Sequence, residues 1–252
     1  MSKNYELLQQ AEFVLGTAPT FTTGKNTVTA ESFAPASSEV LPYVEPAVRE
    51  EALKLVQRLF LTPGKAPKAV LFAAIDASTG CNWLCSVAAK LLAKSVSGSV
   101  CLVEGNFRTP SFPNCLGVEC GRGLVDSLRQ DGPIREFATQ IGPENLWLLS
   151  SGAPVQDSMV LLNSDRMKDR FNEVCKEFDY IVMNAPPLNA FADGMVLGRF
   201  VDGVVLVLEA NSTRREAALR VTESLRATNI PVLGAVLNNR TFPIPAAVYK
   251  RL

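Results

Sequence analysis

The sequence predicts an α/β fold with a doubly wound, mostly parallel sheet flanked by helices, and with a helical arm at the N-terminus. Six short runs are almost continuously apolar, which is typical of strands that are buried on both faces of a parallel sheet. Segments with helical apolar spacing alternate with these runs, as in strand–helix–strand units. The predicted strands are Ala69–Ala74, Ser99–Glu104, Leu146–Ser150, Tyr180–Asn184, Gly203–Glu209 and Val232–Asn238.

Four helices follow from apolar residues that recur every three or four positions. Pro63 and Gly64 end the first of them, and the pattern of Ser212 to Glu216 predicts a capping box at the start of the last. The predicted helices are Pro46–Leu61, Asn82–Ser95, Val160–Glu177 and Thr213–Thr228.

Residues 1–46 are predicted to form an N-terminal arm and linker, and residues 47–252 the α/β domain. Asn4–Leu15 has helical apolar spacing, which fits either a docking element for a partner or a helix that covers its own domain or stays loose. Thr17–Glu45 is rich in Thr, Ser, Pro and Ala without a period, as is typical of a linker.

Composition excludes several function classes. The chain has 252 residues and zero formal net charge, and it lacks a basic block that would indicate nucleic-acid binding. No apolar run reaches the roughly 18 residues of a membrane span, and the N-terminus lacks the apolar core of a signal peptide. We therefore expect a cytoplasmic protein that reaches the inner membrane only through a partner. Histidine is absent, so no imidazole base is available, and the six cysteines are expected to be reduced thiols.

The most informative segment resembles a phosphate-binding loop. The apolar run Val70–Ile75 leads through a polar turn to Gly80, after which a helix is predicted. A working loop reads G-x-x-x-x-G-K-[ST], in which backbone N–H groups and the Lys hold phosphate and the hydroxyl binds Mg²⁺. The eight positions here hold Ile75, Asp76, Ala77, Ser78, Thr79, Gly80, Cys81 and Asn82.

Only Gly80 fits this pattern, because Cys81 takes the lysine position and Asn82 the hydroxyl position. Asp76 would also repel a polyanion. The N–H groups at the helix start leave weak anion or nucleotide binding open, and the alternative is a loop that only makes a tight turn.

Further segments extend the pattern along some 190 residues. With the loop at 75–82, their order and spacing resemble the bacterial tyrosine kinases of capsule and exopolysaccharide export, which belong to the MinD/ParA-like P-loop ATPases. The segments are Cys101–Ser111, Gly121–Leu128, Leu148–Gly152, Phe178–Pro187, Asp202–Val207 and Leu233–Asn238.

The resemblance implies a degenerate phosphate and Mg²⁺ site. In the family, the loop Lys and Ser/Thr, two Asp of a second acidic motif and the Walker B Asp assemble it. The matching positions here hold Cys81, Asn82, Glu104, Asn106 and Asn184. Because only Glu104 is acidic and Cys81 replaces the loop lysine, the resemblance implies no catalytic residue, no metal and no cofactor.

Two other positions have alternative interpretations. Arg108 matches a family arginine, and it could meet a phosphate or pair with a carboxylate. Asn238 matches a position near the adenine base in related ATPases, and it could instead simply end a strand.

Four of the six cysteines have alternative chemical interpretations. Cys81 and Cys85 lie one turn apart at a helix start, where a thiol pKa can fall and a reactive or redox-sensing thiol can arise. With Cys115 and Cys120 they could form a four-thiolate zinc site, although the spacing is not a zinc pattern. Packed, inert thiols are the default interpretation.

Two function hypotheses follow from the resemblance. The first is a non-catalytic interaction or regulatory protein of capsular or exopolysaccharide biosynthesis, which docks on a membrane chain-length regulator or an active tyrosine kinase. Homo-oligomer formation is left open, because the family's E-x-x-R-x-x-R helix reads Glu51, Lys54 and Gln57 here. The alternative is an ATP-binding kinase-like enzyme with an unorthodox phosphate site, built on Glu104 and backbone amides.

Overall fold

The secondary structure of the chain comes from a computed structural model, which describes residues 12–14, 44–64, 66–77, 80–152, 155 and 157–239. Its strands are β1 Glu12–Val14, β2 Ala69–Ala74, β3 Val100–Glu104, β4 Thr139–Gln140, β5 Leu146–Leu149, β6 Tyr180–Ala185, β7 Gly203–Glu209 and β8 Val232–Asn238. Its helices are α1 Pro46–Phe60, α2 Gly80–Ser95, α3 Phe112–Leu116, α4 Leu124–Arg129, the 3₁₀ helix Ile134–Phe137, α5 Ser158–Leu162, α6 Asp165–Glu177, α7 Asp193–Leu197 and α8 Arg215–Ala227.

The strands form one mostly parallel sheet in the order β1-β8-β7-β2-β6-β3-β5-β4, in which only the β4–β5 pair is antiparallel. All six predicted strands are confirmed, with ends that differ by at most one residue. β2 lies between β7 and β6, and each of its six residues is buried. The apolar run that predicted this strand therefore reflects burial on both faces.

Helices cover both faces of the sheet, as a doubly wound fold requires. Val70 and Phe72 of β2 belong to the core that includes α1 and α2. Leu71 and Ala73, which alternate with them, belong to the second core, with residues of α6 and α8. Successive strand residues thus serve opposite layers. This confirms the predicted α/β class.

Two helix predictions need correction. The single helix predicted at Val160–Glu177 is wrong, because α5 ends at Leu162 and α6 begins at Asp165. The Ser164 hydroxyl accepts a hydrogen bond from the Met167 N–H at 3.1 Å and so caps a new helix start.

The capping box predicted at the start of the last helix is also absent. α8 begins at Arg215, and its N-cap residue Arg214 makes no side-chain cap hydrogen bond. The Thr213 hydroxyl instead accepts a hydrogen bond from the Glu209 N–H at 2.9 Å, which closes the turn after β7.

The helical arm predicted for residues 4–15 is contradicted at Glu12–Val14, which form strand β1. This segment pairs in parallel with Ala235–Leu237 of β8. The edge of β8 offers unpaired N–H and C=O groups, and Phe and Val have high strand propensity, so tertiary pairing overrides a weak helical period. The rest of the predicted arm and linker up to residue 43 lies outside the described residues. None of the described helices is long and apolar enough to cross a bilayer.

Candidate functional site

The site predicted from the sequence lies at the carboxyl ends of three neighbouring strands. β6 pairs with β2 on one side and with β3 on the other, so the residues that follow these strands meet at one sheet edge. In doubly wound folds this edge carries the ligand sites. Ser78 and Thr79 of the loop lie outside the described residues, whereas Asp76 is half-buried and Ala77 is exposed.

The position that would hold the phosphate-binding lysine points into the core. Cys81 follows Gly80 at the start of α2 and is buried. Its Sγ donates a hydrogen bond to the Phe72 carbonyl oxygen at 3.6 Å. The position therefore supplies no cation.

Two carboxamides, Asn82 and Asn184, stand at the positions that the resemblance assigns to the loop hydroxyl and the Walker B carboxylate. The Gly105 N–H donates to Asn184 Oδ1 at 2.7 Å, which fixes the orientation of that amide. Asn184 Nδ2 then donates to Asn82 Oδ1 at 2.8 Å, and Asn82 Nδ2 donates to the Ser111 hydroxyl at 2.6 Å. Asn184 is fully buried, and this series of hydrogen bonds between uncharged groups satisfies its polar atoms without an ion.

Glu104, the one acid kept at the motif positions, is also fully buried. Its Oε1 accepts the backbone N–H groups of Ser111 and, at 3.0 Å, of Phe112, at the start of α3. Its Oε2 has no hydrogen-bond partner among the described residues. Burial raises the pKa of Glu104, and the backbone hydrogen bonds oppose that rise. The carboxyl group thus anchors the loop between β3 and α3.

Asn106 closes a turn within the same loop. Its Nδ2 donates to the Thr109 hydroxyl at 2.9 Å, and its Oδ1 accepts the Thr109 N–H at 3.2 Å. Both ends of this side chain are therefore used locally, away from the amide chain of Asn82 and Asn184.

Arg108 pairs with a carboxylate, which was one of its two interpretations. Its guanidinium donates to both oxygens of the fully buried Asp193, from Nε at 3.1 Å and from Nη2 at 3.0 Å. The Ser158 hydroxyl donates to the same carboxylate at 2.5 Å. Asp193 and Ser158 were missed in the sequence, because no local pattern distinguishes them from other helix-start residues.

The turn after β6 contacts the first residues of the phosphate loop. The N–H groups of Leu188 and Asn189 donate to the carbonyl oxygens of Ala74 and Ile75 at 2.9 and 3.0 Å. Asn189 Nδ2 also donates to Asp76 Oδ1 at 2.8 Å. Backbone and side chain thus tie this turn to the first half of the loop.

Two glycine segments predicted from the resemblance meet beside the site. The Leu124 N–H donates to the Ser150 carbonyl at 2.8 Å. A Cβ on Gly123 would lie only 2.4 Å from the backbone N of Gly152. Glycine is therefore required where the two backbones cross.

The other candidates lie apart from this cluster. Asn238 is buried as the last residue of β8, and its carbonyl accepts the Ala210 N–H at 2.9 Å. Because β7 separates β8 from β2 in the sheet, Asn238 is not part of the Asn82–Asn184 chain.

The structure favours packed cysteines over reactive ones. Cys85 is buried, and both burial and a hydrogen bond with Cys81 raise its pKa well above the ordinary value. For Cys85 this raised pKa contradicts the reactive-thiol alternative and agrees with the default interpretation of a packed thiol. Cys115 is exposed and Cys120 half-buried. In the part of the chain that the structure describes, no group of three or more His, Cys, Asp or Glu residues could hold a metal ion.

Comparison with known proteins identifies the relatives of the chain. No family model matches it. It is 29% identical over 141 residues to the tyrosine-protein kinase YwqD of Bacillus subtilis, and 26% identical over 141 residues to the tyrosine-protein kinase CpsD of Streptococcus pneumoniae serotype 4. The chain is a homologue of the bacterial tyrosine kinases. The two alignments cover 56% and 54% of this kinase homologue, and 60% and 61% of the relatives' own length.

Solved structures show the same fold. The kinase domain of the Escherichia coli tyrosine kinase ETK superposes with a TM-score of 0.78 at 16% identity, over 98% of the kinase homologue and 99% of that chain. The chimerical protein CapA2B2 gives 0.72 at 19% identity, over 79% and 87% of the two chains. The MinC:MinD complex of Aquifex aeolicus gives 0.57 at 18% identity, over 73% and 72%. These likenesses confirm the predicted MinD/ParA-like P-loop fold.

Proposed function

We propose that this kinase homologue is a non-catalytic interaction or regulatory protein of capsular or exopolysaccharide biosynthesis and export. The pathway is carried over from its kinase relatives. The observation that supports the loss of catalysis is the hydrogen bond between Asn184 and Asn82, in which two neutral amides take the places of two magnesium ligands.

The physical reason lies in what phosphoryl transfer requires. Its catalysis consists almost entirely of positioning the phosphates and stabilising charge with a lysine and Mg²⁺. Cys81 supplies a buried thiol instead of the lysine, and Asp76 places a carboxylate in the loop that would hold the phosphates. Losing one electrostatic contact of this kind typically costs about 3 kcal/mol of transition-state stabilisation, so losing several is expected to abolish turnover.

The partner we propose is a membrane chain-length regulator or an active tyrosine kinase of the same export system, with which the chain associates on the cytoplasmic side of the inner membrane. Assembly through α1 receives little support from its charges. Lys54 pairs with Glu51 at 2.7 Å and with Glu50 at 3.7 Å within the same helix, on an exposed face.

Calorimetry with ATP and Mg²⁺ tests the proposal. The wild-type chain is expected to show no binding at about 1 mM nucleotide, which corresponds to less than about 4 kcal/mol of binding free energy. Cys81→Lys combined with Asn184→Asp returns the lysine and the carboxylate, and a gain of Mg²⁺-dependent binding would show that these two positions caused the loss. Circular dichroism of both proteins separates lost binding from lost folding. Tight binding and hydrolysis by the wild-type chain would overturn the proposal.

One observation favours the second candidate, an ATP-binding enzyme with an unorthodox site. The unpartnered Oε2 of Glu104 is an acceptor that a metal-bound water could use. In that case Glu104→Gln would weaken nucleotide binding while the fold stays intact. If Glu104 only anchors the β3–α3 loop, neither the wild-type chain nor the Glu104→Gln variant should bind nucleotide.

A further inference from the structure

A cavity of about 320 Å³ opens between the phosphate loop and helix α8, outside the positions that the kinase resemblance assigns to metal and nucleotide base. Its volume lies near the lower end of the range for small-molecule sites. The residues that line it are Asp76, Asn189, Ser212, Arg214, Ala217 and Arg220.

The spacing along α8 explains the shape of this cavity. Arg214 is the N-cap residue of α8, and Ala217 and Arg220 follow it at three-residue intervals, so each is a neighbour of the next at the start of the helix. Ala217 is buried and carries only a methyl group. The small side chain of Ala217 leaves open space that Arg214 and Arg220 also line.

The two arginines that line the cavity have no charged partner among the described residues. Arg214 and Arg220 are exposed, and neither forms a salt bridge or hydrogen bond with a described residue. Asp76, on the opposite wall, already accepts a hydrogen bond from Asn189 through Oδ1. The cavity thus combines two arginines that have no partner among the described residues with one carboxylate whose other oxygen can accept a hydrogen bond.

We infer that this cavity binds a small phosphate monoester that carries hydroxyl groups. A phosphoryl group has three terminal oxygens and can engage two guanidinium forks, whereas a carboxylate is satisfied by one fork. Asp76 repels the phosphoryl group but accepts a hydroxyl, so it orients the ligand with its polyol end toward the phosphate loop. The inference goes beyond the proposed function and does not rest on it.

The test is calorimetric titration of the full chain with inorganic phosphate and with glycerol 3-phosphate. We expect glycerol 3-phosphate to bind more tightly, because its hydroxyl groups meet Asp76 and Ser212. Arg214→Ala and Arg220→Ala should each weaken binding about tenfold or more, the loss typical of one charge-assisted contact. Arg215→Ala is the matched control, because it removes an exposed charge from the same helix without lining the cavity.

Asp76→Asn provides an independent test of the inference. It should strengthen the binding of inorganic phosphate by removing repulsion, and it should reduce the preference for glycerol 3-phosphate. Three results would overturn the inference: no binding of either probe at about 10 mM, equal effects of Arg214→Ala and Arg215→Ala, or tighter binding of phosphotyrosine than of glycerol 3-phosphate. The last would reassign the cavity to modified protein side chains.

Discussion

Asn184→Asp is the change that probes the candidate site most directly. It replaces the Nδ2 donor by a carboxylate oxygen, which then faces Asn82 Oδ1 from 2.8 Å. The Gly105 N–H at 2.7 Å still has its acceptor. Because Asn184 is fully buried, the new charge has no access to water.

The magnitude follows from these contacts. A buried carboxylate without a cationic partner destabilises a fold by about 3–5 kcal/mol. The Asn82 amide can rotate so that Nδ2 donates to the new carboxylate, and the Ser111 hydroxyl can then donate to Asn82 Oδ1. That hydrogen bond restores about 1–2 kcal/mol. We therefore expect a net loss of about 1–4 kcal/mol, which lowers the melting temperature by about 2–16 °C in a domain of this size.

Thermal denaturation with and without about 10 mM Mg²⁺ measures this effect. A bound ion stabilises the folded state by a free energy that depends on the Mg²⁺ concentration relative to its dissociation constant. Asn172→Asp is the control, because the same chemical change at an exposed position of α6 should shift stability by less than about 0.5 kcal/mol. A melting temperature within about 1 °C of the wild type would refute the reasoning about the amide chain. Full rescue by Mg²⁺ would show that the site retains a metal geometry.

Three further predictions concern residues around the site. Burial raises the pKa of Glu104 above its ordinary 4.5, so the folded state binds this proton more tightly than the unfolded state does. The protonated Glu104 therefore stabilises the fold below pH 4.5, and this stabilisation is lost as the pH rises from 4.5 through the raised pKa. Glu104→Gln should remove that slope and be at least as stable at neutral pH, as measured by urea denaturation across a pH series. Arg108→Ala should cost about 3 kcal/mol by leaving the buried carboxylate of Asp193 without its cation, and adding Asp193→Asn should recover part of that loss in the same denaturation assay. Gly123→Ala should cost about 2 kcal/mol or more because its Cβ meets backbone atoms at 2.4 Å, whereas Gly121→Ala, with open space around it, should be nearly neutral in thermal denaturation.

The strands could be predicted from sequence because the physical cause is local. Each residue of β2 is buried, so the apolar run itself carries the signal. β4 is only two residues long and antiparallel to β5, and no run of that length has a recognisable pattern. β1 depends on the edge of β8, which is more than 200 residues away in the chain, and local spacing could not show it.

For the candidate site, the sequence could suggest positions but not contacts. The resemblance placed Asn82 and Asn184 at metal-binding positions, yet their hydrogen bond joins residues 102 apart. Asp193 could not be singled out, because its role depends on Arg108, 85 residues away. The residue types predict that a lysine and most carboxylates are missing from the site. Only the tertiary geometry shows which polar groups form hydrogen bonds with one another.

The turn after β6 has a consequence for how the sheet edge opens. The N–H groups of Leu188 and Asn189 donate to backbone carbonyls at the end of β2. The turn after β6 and the segment directly after β2 therefore cannot separate without breaking these shared hydrogen bonds. The two loops should therefore behave as one cooperative unit in hydrogen exchange, with the amide protons of Leu188 and Asn189 released together in a single sub-global event. Any molecule that seats itself over Asp76 acts on that shared opening equilibrium rather than on one loop alone.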